Sequence, residues 1–289
     1  AEASAAGAPI IVWFRQDLRL RDNPALHAAS VQGTPVVPVF IWCPEEEGKW
    51  PLGGASRYWL HQALECLSAS LKERYGSRLI IRSATSGKSS ADVLSELAAE
   101  CGARAVYANR VYEPWKVTRD AAADRQLSAA GLSYRSFNAV LLYEPWDAAP
   151  DKTDDACWNS GYGSVRFFMR ACAPLGEPPP PLPQPARLMG FPPTAWPRTL
   201  TLASLGLAAF PRDKRTGRVI DWAQGIRKAW IFGEEGAMAS LEEFLADGLE
   251  RFDKKQHNES TSGGSGGGGR GGAGGGRGGG GGGGGDSEG

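Results

Sequence analysis

The feature that most constrains the fold of this chain is a regular alternation of short apolar runs with helical patterns between residues 10 and 138. Residues 10–14 read Ile-Ile-Val-Trp-Phe, a continuous apolar run of the kind that forms a strand buried on both faces. Asn23 can then cap a helix that begins at Pro24, because proline suits the first helical position. We expect that helix over residues 24–31.

Four more apolar runs and three more helical patterns continue the alternation. The strands are predicted at residues 36–42, 78–82, 105–109 and 133–138, and the helices at 56–71, 93–101 and 118–130. Pro38 is an objection to the second strand, because proline cannot donate a hydrogen bond to a sheet. The alternation predicts an α/β fold, a Rossmann-like five-stranded parallel sheet with helices on both faces. A ligand is expected beyond the carboxyl ends of the strands, where the strand order reverses.

The composition changes after residue 147, and residues 148–218 are predicted to be a proline-rich connector. Its centre, Gly-Glu-Pro-Pro-Pro-Pro-Leu-Pro-Gln-Pro at 176–185, favours the polyproline II conformation. Such a stretch is compatible with an SH3-type ligand, but a stiff connector between two packed units is the favoured interpretation. One helix is expected around residues 165–172.

The remainder of the chain is predicted to be a short all-α segment, residues 219–262, followed by a disordered Gly-rich tail, residues 263–289. Helices are expected at 221–230 and 234–252. The second carries an apolar stripe that needs a partner, because short isolated helices are marginal in water. The tail is predicted to be disordered because glycine loses the most conformational entropy on ordering.

Composition argues against several classes of site. Lys+Arg and Asp+Glu are equal at 32 each, so net charge gives no case for strong non-specific nucleic-acid binding. The five cysteines are widely spaced and the three histidines are scattered, so we predict neither a disulfide framework nor a metal site. No apolar run approaches the length of a membrane span, so no membrane association is expected.

Gly87-Lys88-Ser89 follows a predicted strand and opens a helix, as a phosphate-binding P-loop would. Arg82, however, stands where that pattern needs a glycine. We therefore expect Ser89 or Ser90 to do no more than cap the helix.

The connection after the first strand carries an unusual density of charge, reading Trp-Phe-Arg-Gln-Asp-Leu-Arg-Leu-Arg-Asp-Asn-Pro at residues 13–24. A loop of this composition can lock itself by Arg–Asp pairing. Because it follows the carboxyl end of a predicted strand, it can also bound the ligand crevice.

This stretch resembles the opening motif of the photolyase/cryptochrome family. Further similar segments follow in the family's order, namely PVFIWCPEEEG (38–48), SRYWLHQALECLSASL (56–71), YANRVYEPWKVTRD (107–120) and RSFNAVLLYEPWD (135–147). The resemblance is strongest to plant-type cryptochromes. It implies an antenna-type α/β domain at residues 9–147 that can hold a folate or a deazaflavin, with Arg15, Asn109 and Glu113 as candidate pocket residues.

In this family FAD binds in a C-terminal helical domain, whose beginning resembles residues 230–256. The resemblance identifies Phe252, Thr261 and Ser262 as the remnant of that FAD site. Phe252 stands where a tyrosine is expected, and Thr261-Ser262 match the start of a Thr-Ser-x-Leu-Ser-Pro phosphate motif, after which glycine begins. We therefore expect a fragment truncated early in the FAD-binding domain, with an incomplete FAD site and no catalytic residue.

The leading functional interpretation is a cryptochrome-like blue-light photoreceptor of a flavoprotein family. The enzymatic alternative is a DNA photolyase that repairs pyrimidine dimers with light, and a third alternative is a non-photochemical interaction module. Signalling proteins are the expected partners of a cryptochrome and DNA that of a photolyase. The resemblance implies a nuclear or cytoplasmic location, and the chain alone is expected to have no activity.

Overall fold

Parallel strands and helices alternate from residue 10 to residue 137, as the sequence predicts. The computed structural model describes residues 7–85, 87–148, 162, 164–192 and 195–252. The strands are β1 (Ile10–Phe14), β2 (Val36–Trp42), β3 (Ile80–Ser83), β4 (Ala105–Asn109) and β5 (Ser133–Phe137). The helices are α1 (Pro24–Ser30), α2 (Gly54–Tyr75), α3 (Ser90–Cys101), α4 (Pro114–Ala129), α5 (Val165–Cys172), α6 (Gln224–Ala229) and α7 (Gly233–Glu243).

The five strands form one parallel sheet in the order β3-β2-β1-β4-β5, with an apolar cluster on each face. β1 shows why both faces are covered, because successive side chains of a strand point to opposite sides. Ile10, Val12 and Phe14 belong to the cluster that contains the leucines of α1 and α2. Ile11 and Trp13 belong to the other cluster, with the leucines of α3 and α4. The predicted α/β class is confirmed.

β2 lies between β1 and β3 in the sheet, yet Pro38 within it leaves no ladder hydrogen bond unmade. The backbone N–H of Val36 points away from β1 and donates to the carbonyl of Met189 at 2.8 Å. Alternate residues of a strand direct their N–H groups to the same side, so the missing donor of Pro38 faces the β3 side. Pairing with β3 begins only at Val39, opposite Ile80. The proline therefore stands where β2 is locally an edge.

The beginning of α3 is capped by protein carboxylates and hydroxyls. The Ser89 hydroxyl accepts from the backbone N–H of Asp92 at 3.1 Å, and the Asp92 carboxylate accepts from the Ser89 N–H at 2.8 Å. Glu46 accepts from the N–H of Ser90 at 2.7 Å and from its hydroxyl at 2.6 Å. The predicted capping role of Ser89 is confirmed, and the amides of Ser89 and Ser90, at the start of the helix, are already bonded to carboxylates of the protein.

We expect Ser89→Ala to lower the free energy of unfolding by about 1 kcal/mol, the usual effect of losing an N-cap hydroxyl. Hydrogen bonds from Ser89 hold the pKa of Asp92 below its ordinary value. The cap contribution is therefore complete above the ordinary aspartate pKa and is lost as pH falls through the lower, folded value. Denaturant unfolding at neutral and acid pH measures both effects. Ser56→Ala, at an exposed position in the first turn of α2, is the control; equal losses in the two variants would contradict the cap.

The predicted connector packs against the α/β fold along much of its described length. Leu188 and Leu207 are buried in the cluster that α1 and α2 also form. The N–H of Leu200 donates to the carbonyl of Ile81 at 2.9 Å, beside β3. Apolar side chains that the sequence spaced irregularly therefore complete the core, and α5 has the predicted bounds.

The described chain falls into two units, one through residue 239 and one that begins at Ser240 and is described as far as Phe252. The predicted helix over 234–252 is confirmed as a continuous helical segment from residue 233 to residue 252, and a π-helical turn from Phe244 to Gly248 interrupts its α-helical geometry. A Cβ at Gly248 would lie 2.7 Å from the Phe244 ring, so this turn needs a residue without a side chain.

The predicted helix at 221–230 is shorter in the structure, spanning Gln224–Ala229. The predicted domain bounds (9–147, 148–218, 219–262 and 263–289) stay a prediction. Thr261, Ser262 and the Gly-rich tail lie outside the described residues.

Candidate functional site

Polar side chains converge where β1 and β4 end, at the switch point of the sheet. The chain runs from β1 through β2 to β3 on one side and then returns to place β4 on the other side of β1. The connections after β1 and β4 therefore separate and leave a crevice between them. Arg15 follows β1 and Asn109 ends β4, so the predicted site residues of these two strands are brought together.

Asn109 is the centre of a buried hydrogen-bond network and is 1 % exposed. Its amide nitrogen donates to Asp17 Oδ2 at 2.5 Å and to Asn23 Oδ1 at 2.8 Å. Its amide oxygen accepts from the backbone N–H of Ala25 at 2.9 Å. Asn23 in turn caps α1 by accepting from the N–H of Leu26 at 3.0 Å. Asn109 thus joins β4 to the β1–α1 loop and to the start of α1.

Arg15 is buried beside this network, and its guanidinium stacks 4.6 Å from the centre of the Trp13 ring. It donates to the Asp120 carboxylate and to the backbone carbonyl of Asn109. Burial is the largest influence on the pKa of Arg15 and would lower it, but the charge and hydrogen bond of Asp120, together with Tyr134 and Asp17, outweigh burial and the pKa is raised. The guanidinium therefore stays charged and ties α4 to the ends of β1 and β4.

Glu113, the third predicted antenna residue, lies at the outer side of the site. Its carboxylate accepts from Gln16 at 3.0 Å and from Lys116 at 3.1 Å. Burial would raise its pKa, but these hydrogen bonds and the lysine charge outweigh burial, so the pKa is lowered. Gln16 and Glu113 connect the β1–α1 loop to α4 at the surface. The antenna role of Arg15, Asn109 and Glu113 stays a prediction, and the polar groups of the Asn109 side chain are already engaged within the protein.

A cavity of about 260 Å³ opens beside the Arg15–Asp120 pair, between α4 and the ends of β4 and β5. Its lining consists of Arg110, Val111, Tyr112, Val117, Asp120, Ala121, Asp124, Tyr134, Ser136 and Trp146. Sequence reasoning missed this cavity. A signal existed, because Tyr-Glu-Pro-Trp occurs twice, at 112–115 and at 143–146. The structure brings Tyr112 of the first copy and Trp146 of the second to the same cavity.

One wall of the cavity is held rigid by Arg110. Its guanidinium pairs with Glu144, donates to the Ser136 carbonyl at 3.1 Å and stacks 5.0 Å from the centre of the Trp146 ring. The Tyr112 hydroxyl donates to Glu144 at 2.8 Å. Burial, together with the Glu144 charge and hydrogen bond, raises the pKa of Tyr112 to about 12, so the hydroxyl keeps its proton.

Tyr134 provides an unused polar group on the opposite wall. Its hydroxyl is buried near the Arg15 guanidinium and makes no hydrogen bond of ordinary geometry with the described residues. Burial raises the pKa of this tyrosine, which leaves a neutral hydroxyl that can donate or accept. Asp120 and Asp124 add carboxylate oxygens to the lining. The cavity therefore combines an aromatic face with acceptors and one unpaired hydroxyl.

Comparison with known proteins decides the family. A profile described as DNA photolyase matches residues 10–180, more than half of the chain. The chain belongs to the DNA photolyase family. It is 36 % identical over 247 residues to a deoxyribodipyrimidine photo-lyase of Agrobacterium fabrum, covering 86 % of this chain and 47 % of that protein. It is 44 % identical over 138 residues to Cryptochrome-1 of Arabidopsis thaliana, covering 48 % of this chain and 20 % of that protein.

The same fold is present in a solved relative. A class III photolyase from Agrobacterium tumefaciens superposes with a TM-score of 0.68 at 35 % identity, over 85 % of this chain and 46 % of that one. This member of the family thus spans less than half the length of the relatives it matches here. The resemblance to photolyases and cryptochromes expected from the sequence motifs is confirmed.

Members of the photolyase/cryptochrome family bind FAD, and the part of the chain that the structure describes contains little of the predicted FAD site. Of the three predicted FAD-site residues, the structure describes Phe252 alone, and its ring is 58 % exposed and offers no hydroxyl.

No helix in the described ranges is long and apolar enough to cross a membrane. The same ranges contain no cluster of three or more His, Cys, Asp or Glu side chains that could hold a metal ion.

Proposed function

We propose that this chain supplies the α/β part of a cryptochrome-like blue-light photoreceptor that works with FAD. The identity of 44 % to a plant cryptochrome, over 138 residues, is the main support for a receptor. A receptor of this kind acts through signalling proteins, and we propose a nuclear or cytoplasmic location for it. FAD would be held by residues other than the described ones.

Within that receptor, we propose that the α/β part holds an antenna chromophore, a folate or a deazaflavin, in the cavity between α4 and β5. The observation that carries this proposal is that one cavity is lined both by the aromatic ring of Trp146 and by the Tyr134 side chain, whose hydroxyl makes no ordinary hydrogen bond with the described residues. The bound chromophore would absorb light and pass the excitation to the flavin. At about 260 Å³ the cavity lies just below the range for drug-sized ligands, so it suits the ring system and leaves any tail outside.

The residues that line the cavity would each make a different contact with such a ring. Trp146 would stack on it, held in place by the Arg110 guanidinium. Asp120 and Asp124 would accept from its N–H groups, and the Tyr134 hydroxyl would take the remaining polar edge. The Arg15 contact fixes Asp120, so the buried network at the switch point positions this wall rather than touching the ligand.

The test is equilibrium dialysis of the purified chain against a reduced folate and against a deazaflavin, with absorbance as the readout. We expect one of them to bind and Trp146→Ala to weaken it about tenfold, the loss of one aromatic stacking contact. Trp115→Ala is a matched control, because Trp115 has the same place in the first Tyr-Glu-Pro-Trp copy and nearly equal exposure, 37 % against 36 %. If only Trp115→Ala weakened binding, the antenna site would lie near Glu113 rather than in this cavity. If neither compound bound the chain, the antenna proposal would be refuted.

A DNA photolyase is the second candidate, favoured by the 36 % identity that extends over 86 % of this chain. The decisive measurement is repair of thymine dimers under blue light in the presence of added FAD. We expect the chain alone to give none. Repair above the level of a no-protein control would favour the photolyase over the receptor.

A further inference from the structure

The proline-rich stretch at residues 178–185 has a conformation set by its own sequence, Pro-Pro-Pro-Pro-Leu-Pro-Gln-Pro. Every residue of it is a proline or precedes one. Proline fixes φ near the polyproline II value, and a following proline restricts its predecessor to the extended region. The structure accordingly shows neither helix, strand nor turn at these residues.

From Leu182 onward burial recurs at every third residue, the spacing of a polyproline II helix with three residues per turn, whereas Pro179 is exposed. Leu182 is half-buried and Pro185 and Leu188 are buried, so this ridge lies against the protein. Pro180 and Pro183, which form the next ridge, are exposed. One ridge is therefore covered by the chain itself, and an adjacent one is open to solvent.

Hydrogen bonds hold the covered ridge at two points. Leu182 and Asp22 form a reciprocal pair, in which the N–H of Leu182 donates to Asp22 Oδ1 at 2.9 Å and the N–H of Asp22 donates to the carbonyl of Leu182 at 3.1 Å. The Tyr75 hydroxyl donates to the carbonyl of Pro185 at 2.8 Å. Gln184 donates to the same hydroxyl at 3.0 Å. The open ridge is thus presented in a fixed orientation.

We propose that residues 178–185 are a docking site for a protein domain with an aromatic-lined groove that recognises polyproline II. Such grooves accept extended proline-rich segments and exploit their low conformational entropy. Packing accounts for Leu182 and Pro185, which face the core. Packing does not account for the exposed rings of Pro180, Pro181 and Pro183. Exposed proline rings of this kind are the groups that aromatic-lined grooves bind. The inference is independent of the proposed photochemistry.

The experiment measures binding of the purified 289-residue chain to a panel of immobilised SH3 and WW domains. We expect at least one domain to bind, and the double variant Pro180→Ala/Pro183→Ala to weaken that binding at least about tenfold, as loss of two ring contacts in a groove implies. Pro51→Ala/Pro192→Ala is the matched control, because it removes two exposed prolines elsewhere in the chain and should leave binding unchanged. Equal thermal unfolding of the three proteins shows that the fold is retained.

A synthetic peptide of residues 177–187 separates docking from a purely structural role. We expect it to bind the same domain more weakly than the chain, because the chain holds the stretch in its bound conformation beforehand. Binding of the peptide but not of the chain would overturn the proposal, since the covered ridge would then be the one that the domain needs. Failure of every domain to bind either form would also overturn it and leave the stretch as a stiff connector.

Discussion

Asn109→Ala is expected to lower the free energy of unfolding by about 4 kcal/mol. The substitution removes two donated hydrogen bonds and one accepted hydrogen bond at a position that is 1 % exposed. It leaves Asp17, Asn23 and the N–H of Ala25 short of partners in a site that water does not reach. Each buried polar group left unpaired costs about 1–3 kcal/mol, so the loss far exceeds that of one surface hydrogen bond.

Urea or guanidinium unfolding measures this loss, with Asn138→Ala as the matched control. The half-buried Asn138 side chain makes four hydrogen bonds, three with the backbone of Val140 and Leu141 in an exposed loop and one accepted from the Tyr112 hydroxyl at 3.4 Å. Water can replace those bonds, so we expect the control to lose less than about 1 kcal/mol. If the two variants lose equal stability, the network around Asn109 is not what holds β4 to the β1–α1 loop.

Arg15→Met is expected to cost about 3 kcal/mol. The side chains of Arg15 and Asp120 are 7 % and 14 % exposed, so the variant leaves a largely buried carboxylate without its main partner. Breaking such a pair commonly costs about 3–5 kcal/mol. We expect a loss at the lower end of that energy range because Arg119 also pairs with Asp120, at 2.7 Å, and would still neutralise part of its charge.

Lys88→Met is the control for Arg15→Met. Lys88 pairs with Glu96 at 2.5 Å, but the two side chains are 52 % and 60 % exposed. Exposed pairs contribute about 0–1 kcal/mol, so this variant should unfold almost as the parent does. Combining Arg15→Met with Asp120→Asn should cost less than the sum of the single losses, because the two groups interact. Strict additivity would contradict the buried pair.

The strands could be predicted from short stretches because their signals are local. Ile-Ile-Val-Trp-Phe at 10–14 and the run at 36–42 have the bounds of β1 and β2. Asn23 and Pro24 predicted the start of α1, since both the cap and the fixed φ act within one turn. The family motifs were equally local, and the family comparison agrees with them.

The candidate site could be predicted only in part. Arg15 and Asn109 were singled out, and they do meet at the ends of β1 and β4. The cavity was missed because its lining comes from β4, α4, β5 and the segment that ends at Trp146, which no sequence window contains together. The π-helical turn at Phe244–Gly248 was missed for a similar reason, because helical periodicity alone does not show where a ring will pack on a glycine.

The sequence by itself therefore determined the alternation of strands and helices, the caps, the extended conformation of the proline-rich stretch and the family. Each depends on neighbouring residues, through apolar periodicity, backbone restriction or a contiguous motif. Only the tertiary structure decided the strand order, the buried contacts of Asn109 and Arg15, the cavity, and which ridge of residues 178–185 remains open. Those features arise from contacts between segments far apart in the chain, whose geometry is set by packing and by the pairing of buried polar groups.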